Sequence, residues 1–280
     1  MSGTAGDRQI DWTLMGRQVL GTLRLDLRRS LFSARALAAF FLAFAPALLV
    51  GIWSLTPFPA REFSGPQESV VMFSVIFELY VRVSIFFSAL FLFVSLYRSD
   101  ILEKSLHYYL LTPVRREVVA LGKYLAAVAV SAGIFFAGTT VIFLLITSPW
   151  GLSEQANYLF QGPGLGNLLG YLGVVFLACA GYGALFLLVG VVFRNPVLPA
   201  AALWVWEAAN LLLPPMLKRI SVIFYLHGLY PIPLPRGLFE MVANPAPVWL
   251  SLGGAVVFVA LVLLLAGWRV RRMDLAYGGE

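Results

Sequence analysis

Residues 165–193 run for 29 positions without a single Asp, Glu, Lys, Arg or His. As a helix rising about 1.5 Å per residue, such a run outreaches a hydrocarbon layer about 30 Å thick. A chain that buries its backbone in lipid must satisfy every N–H and C=O internally, which favours helices for runs of this length. Five further apolar runs, at 36–55, 70–97, 120–148, 197–217 and 248–268, carry the same message. Charged residues are 12% of the chain, about half the usual share in soluble domains, and mean hydropathy is +0.85. The expected fold is therefore all-α integral membrane: one transmembrane domain over residues 1–280 with six transmembrane helices. The lone cysteine, Cys179, excludes an internal disulfide and reads as a small packing residue. No cleavable signal peptide is expected, because more than thirty polar, Arg-rich residues precede the first apolar run.

The intervals between spans are unequal in character. Over 12–32, Leu14, Met15, Val19, Leu23, Leu27 and Leu31 recur at helical spacing with arginines between them. That pattern predicts an amphipathic N-terminal helix lying in the membrane interface. The stretch 149–163 reads as a Gly/Pro/polar loop. Residues 100–116 form a compact charged element. Asp100 and Glu103 have capping-box spacing, and Leu102, Leu106, Tyr109 and Leu110 share one face. Thr112-Pro113 stops that helix and suits the start of the next. Such an element is either a plain interfacial connector or a partner-docking helix. Residues 218–247 are apolar, yet prolines 231, 233, 235, 245 and 247 cut them into pieces too short to span. Two interfacial or re-entrant helices are expected there, near 221–229 and 236–242.

Six spans leave both termini on one side. That side would carry fifteen Lys and Arg, the other only four. The positive-inside rule then puts both termini and the 100–116 element in the cytoplasm and the broken segment outside. The pI of about 9.6 is thus accounted for by membrane orientation, without a nucleic-acid partner.

Ionisable groups inside spans are costly and worth locating. Glu78 and Arg82, four apart on one helix, suit mutual pairing and snorkelling near the outer edge. Glu207 falls midway through the fifth span, with Asn210 one turn on. The pair faces either a subunit interface or translocation path, or the bundle interior with its polar atoms satisfied. The six glycines of the fourth span, with GxxxG spacing at Gly166 and Gly170, point to close helix packing, within one subunit or between two. His107 and His227 fall on opposite sides of the predicted membrane, each in a plain interfacial role. No P-loop, HExxH, GxSxG or cysteine cluster occurs, so the chain is not expected to be an enzyme, to bind a metal or to hold a cofactor of its own.

The residues 103–123, EKSLHYYLLTPVRREVVALGK, resemble the first cytoplasmic loop of ABC-2 type transporter permeases. The matching positions are Glu103, Ser105, Leu106, Leu110, Pro113, Val114, Arg116, Gly122 and Lys123. Lys104-Ser105 departs from the commoner Gly-Thr after the acidic residue. The resemblance covers under a tenth of the chain, although the six-span plan with an interfacial N-terminal helix and a broken segment before the last span fits too. It implies the permease subunit of an exporter in the cytoplasmic membrane, paired with a second permease copy or homologue. A separate ABC subunit would bind ATP and Mg. Residues 100–116 would then be the coupling helix, with Leu106, Tyr109 and Leu110 as its docking face, Glu103 and Arg116 at its rim, and Pro113 at its corner. The alternative is a membrane anchor or scaffold subunit that recruits or signals without moving cargo.

Overall fold

The computed structural model describes residues 34–56, 63–102, 116–193, 195–210, 214–235 and 246–272. Among these the regular structure is helical, with no strand. In chain order the helices are α1 (Ala34–Ser54), α2 (Pro66–Leu79), a π-helical turn (Tyr80–Ile85), α3 (Phe86–Leu102), α4 (Arg116–Thr147), α5 (Leu152–Phe160), α6 (Gly164–Val192), α7 (Val197–Ala209), α8 (Pro215–Lys218), α9 (Val222–His227) and α10 (Val248–Arg271). A 3₁₀ turn, Ser148–Trp150, joins α4 to α5. Five stretches are long and apolar enough to cross a membrane: Ala36–Ser54, Pro66–Val94, Val118–Trp150, Gly164–Val192 and Val248–Arg271.

Three local features differ from the sequence-based expectation. Within the apolar run 197–217 the described helix is the 13-residue α7, about 20 Å long; residues 211–213 lie outside the described ones, and the Pro214-Pro215 pair opens the separate four-residue α8. Asp100 opens no helix. It lies in the last turn of α3, which runs from Phe86 to Leu102 without a Pro or Gly to stop it. The stretch 149–163 is mostly the short helix α5, fixed by Gln155, whose amide donates to Leu144 O at 2.8 Å and Thr147 Oγ1 at 2.9 Å. Within 218–247 the first expected piece is the six-residue α9. The second, near 236–242, lies outside the described residues, as do the interfacial helix 12–32 and residues 103–115.

The bundle is built around α6. Its most apolar window is 72% buried, against 28% for α1 and 17% for α10, so α6 is the central post and those two are peripheral. It packs on α3, α4 and α10. In lipid, apolar side chains gain little by leaving the solvent, so helices associate through close packing and interhelical hydrogen bonds. Both occur here. Phe73 meets Phe143 of α4 at 5.1 Å and Tyr171 of α6 at 4.8 Å, edge to face. Phe86 meets Tyr182 at 5.3 Å and Phe186 at 5.0 Å. Such ring pairs add about 0.5–1.5 kcal/mol each beyond burial. Tyr124 donates to the Ala180 carbonyl at 2.8 Å and Tyr80 to that of Ala43 at 3.2 Å, tying α4 to α6 and the π turn to α1. Where α6 passes close to α3, a Cβ on Gly190 would sit 2.7 Å from Val94 O.

Candidate functional site

The two buried carboxylates among the described residues, Glu78 and Glu207, lie close together where the middle of the second membrane helix meets α7 and the residues after Pro214. Glu78 closes α2 and Arg82 lies in the π turn. Both bracket the midpoint of the Pro66–Val94 stretch, twelve residues from either end, rather than its edge. The extra residue per turn of a π segment re-aims side chains locally. Arg82 Nε donates to Glu78 Oε1, and Arg82 Nη1 donates to Glu207 O of α7 at 2.8 Å. The expected mutual pairing is therefore present. Snorkelling is not: Glu78 is fully buried because its other partners lie inward.

Those partners come from the broken segment. His227 Nε2 is 2.9 Å from each oxygen of Glu78, and Tyr230 OH donates to Oε2 at 2.8 Å. An ionised carboxylate only accepts, so Nε2 is the protonated nitrogen of the imidazole in this arrangement. Burial, then the Glu78 carboxylate beside it, hold the Tyr230 phenol well above its ordinary range, which keeps it a donor. The His227 and Tyr230 rings stand edge to face at 5.4 Å, and Tyr230 also meets Phe77 at 5.4 Å. His227 is thus a buried partner of a membrane carboxylate, not the plain interfacial residue expected. The pairing links positions 149 apart in sequence, and no local signal announces it.

Glu207 is the second carboxylate, also buried. Its Oε2 accepts from Ser221 Oγ at 2.8 Å, Ile223 N at 3.2 Å and Tyr182 OH at 3.3 Å, and Oε1 accepts from Val222 N at 3.1 Å. Two of these donors are the first free amides of α9, which no side chain of its own caps. Glu207 supplies that cap from a different helix and sits at the favourable end of the helix dipole. Asn210 is buried one turn on and donates through Nδ2 to Lys218 O at 3.3 Å.

Around these anchors the segment sits on a seat cut by glycines. A Cβ at Gly181 of α6 would come 2.9 Å from Val222 Cγ1. At Gly170 it would strike the Pro231 ring, at Gly254 of α10 the Tyr225 ring, and at Gly228 the Ser251 hydroxyl. These glycines pack against their own chain. Gly166, the other half of the GxxxG pair, has open space at its Cβ position.

Hydrogen bonds to charged groups contribute about 1.5–3 kcal/mol each, and buried charge left unpaired is strongly destabilising. Seven donors to the two carboxylates, with Arg82 Nη1 on Glu207 O besides, hold α2, α6, α7 and the 214–235 segment as one unit. Chemically the arrangement is a structural joint. Glu78 pairs with Arg82 and faces His227, Glu207 is held by neutral donors, and Arg82 Nη2 is buried without a hydrogen-bond partner; among the described residues no three His, Cys, Asp or Glu side chains cluster to hold a metal. Cys179 is a buried free thiol of α6.

The other sequence-derived site residues fall elsewhere. Glu103, Leu106, Tyr109, Leu110 and Pro113 lie outside the described residues, and Arg116 is the first residue of α4. The fold defines a multi-pass, all-helical membrane protein. No protein-family model matches the sequence, and no curated protein matches it.

Proposed function

We propose that this chain is the membrane-spanning subunit of an ATP-driven exporter, working as a dimer with a separate ATP-binding subunit. The single observation that carries the reading is the sequence over residues 103–123, with its acidic residue, leucines, Pro-Val, Arg and Gly-Lys in the order found in ABC-2 type permeases. Its setting supports the reading. It leaves from α3, which extends eight residues beyond the apolar stretch ending at Val94. It returns through α4, a 32-residue helix. A push on this connection would act on two long helices that pack on the central α6. The excess of basic residues supports a cytoplasmic location for this end and both termini. In this reading α7, with the residues up to 217, makes the fifth crossing. The 214–235 segment is re-entrant from outside, held by Glu78 and Glu207.

The test is co-purification of the full chain with a co-expressed ABC-type ATP-binding subunit from the same organism. Glu103→Arg combined with Leu106→Asp should abolish co-purification while membrane insertion stays normal. Unchanged co-purification would remove the docking role.

A further inference from the structure

Two lateral grooves open on the bundle, and they differ in one respect. The first, about 730 Å³ between α1, α3 and α7, has no charged residue in its lining. The second, about 870 Å³, lies between the C-terminal half of α10, the start of α4 and α6. Its walls include Leu121, Leu187, Leu261, Leu264 and Trp268, and Arg271 completes the lining. Beside it α10 ends in three exposed arginines, Arg269, Arg271 and Arg272. The Arg272 guanidinium lies 4.1 Å over the Trp268 ring. The groove has a firm floor, because Val270 is buried against Ala120 and Val191 below it. Above that contact, Leu261, Leu264 and Leu265 are more than half exposed.

An apolar slot ending at Trp268 and Arg271, with Arg272 stacked over the Trp268 ring, has the polarity of an anionic amphiphile. A tryptophan with clustered basic residues is also what marks a membrane–water boundary. We infer that this groove seats an anionic phospholipid, its acyl chain along Leu121, Leu187 and Leu264 and its headgroup beside Arg271 and Arg272. Selectivity comes from the local positive potential, so it needs no unpaired nitrogen on any one arginine. Juxtamembrane cations attract anionic lipid at about 1 kcal/mol each, a five-fold effect per arginine. The inference is independent of the transport reading and would stand if that reading failed.

The experiment is tryptophan quenching of the purified full chain in nanodiscs. Brominated phosphatidylglycerol in unlabelled phosphatidylcholine is compared with the reverse labelling at the same mole fraction. The Trp268 contribution is taken as the difference between the native chain and Trp268→Phe, with Leu264→Trp as a second reporter deeper in the groove. Brominated phosphatidylglycerol should quench at roughly twenty-five-fold lower mole fraction than brominated phosphatidylcholine, about five-fold for each of Arg271 and Arg272. Arg271→Gln and Arg272→Gln should each weaken that preference about five-fold. Equal quenching by both lipids would overturn the inference. So would a preference indifferent to the arginines, or no quenching by either lipid, which would mean that residues 1–33 or a second copy of the chain fills the groove.

Discussion

Replacing Glu207 would separate the joint described above from the helices around it. In Glu207→Ala, four donors lose their acceptor: Ser221 Oγ, Tyr182 OH and the amides of Val222 and Ile223. A buried donor left unsatisfied costs about 1–3 kcal/mol. The local loss is then about 4 kcal/mol or more, enough to detach α9, whose six residues cannot hold a helix alone. Glu207→Gln is a finer probe. Three donors converge on Oε2 and one on Oε1, so the amide oxygen takes the crowded position and the NH₂ group faces the Val222 amide. One backbone donor is orphaned, at about 2 kcal/mol, which corresponds to roughly thirty-fold faster exchange of nearby amides. The assay is hydrogen–deuterium exchange by mass spectrometry on the full chain in nanodiscs, reading peptides that cover 219–230 and, as a control, the middle of α4. Exchange over 219–230 should rise roughly thirty-fold in Glu207→Gln and to the level of an unstructured segment in Glu207→Ala, with α4 unchanged. Native exchange over 219–230 in Glu207→Ala would show that the carboxylate does not hold the segment, and the reasoning about the joint would be wrong.

Three further outcomes can be checked by thermal unfolding in detergent. Tyr230→Phe removes one of the donors to Glu78 and should destabilise by about 1–2 kcal/mol. Combined with His227→Gln it should show a coupling of about 1 kcal/mol, because both donors share one carboxylate; strict additivity would indicate that they do not. Gly190→Ala places a Cβ 2.7 Å from Val94 O and should cost about 1–3 kcal/mol by forcing α3 from α6. Gly133→Ala, where nothing lies within 4 Å, should be neutral or slightly stabilising, and a similar loss at both sites would rule out the contact as cause. Gln155→Leu should loosen α5 selectively, raising proteolysis between Trp150 and Gly164 while leaving the unfolding temperature within a few degrees.

Much of this architecture is readable from residue order alone, because a helix in lipid is specified locally. Residues 165–193 need no partner to be recognised: length and the absence of charge suffice, and α6 covers Gly164–Val192. The proline-broken character of 218–247 is equally local. The limits of α7 are harder to read, since the apolar pattern continues to 217 while Pro214-Pro215 opens a separate short helix. The α5 helix was hidden because nine residues between glycines show too little periodicity, and its stability depends on Gln155 reaching back to α4.

Glu78, Arg82 and Glu207 stood out in the sequence, since a charge among apolar residues demands an explanation. Their partners did not. His227, Tyr230, Ser221 and Tyr182 are ordinary residues in their own neighbourhoods, and only folding brings them to the carboxylates. The cause is the range of the forces concerned. Hydrophobicity and proline geometry act on residues within a turn or two, so sequence determines which segments are helical and which are broken. A hydrogen bond acts over 3 Å between atoms that can be 150 residues apart. Which carboxylate is satisfied by which donor was therefore decided by the tertiary structure alone.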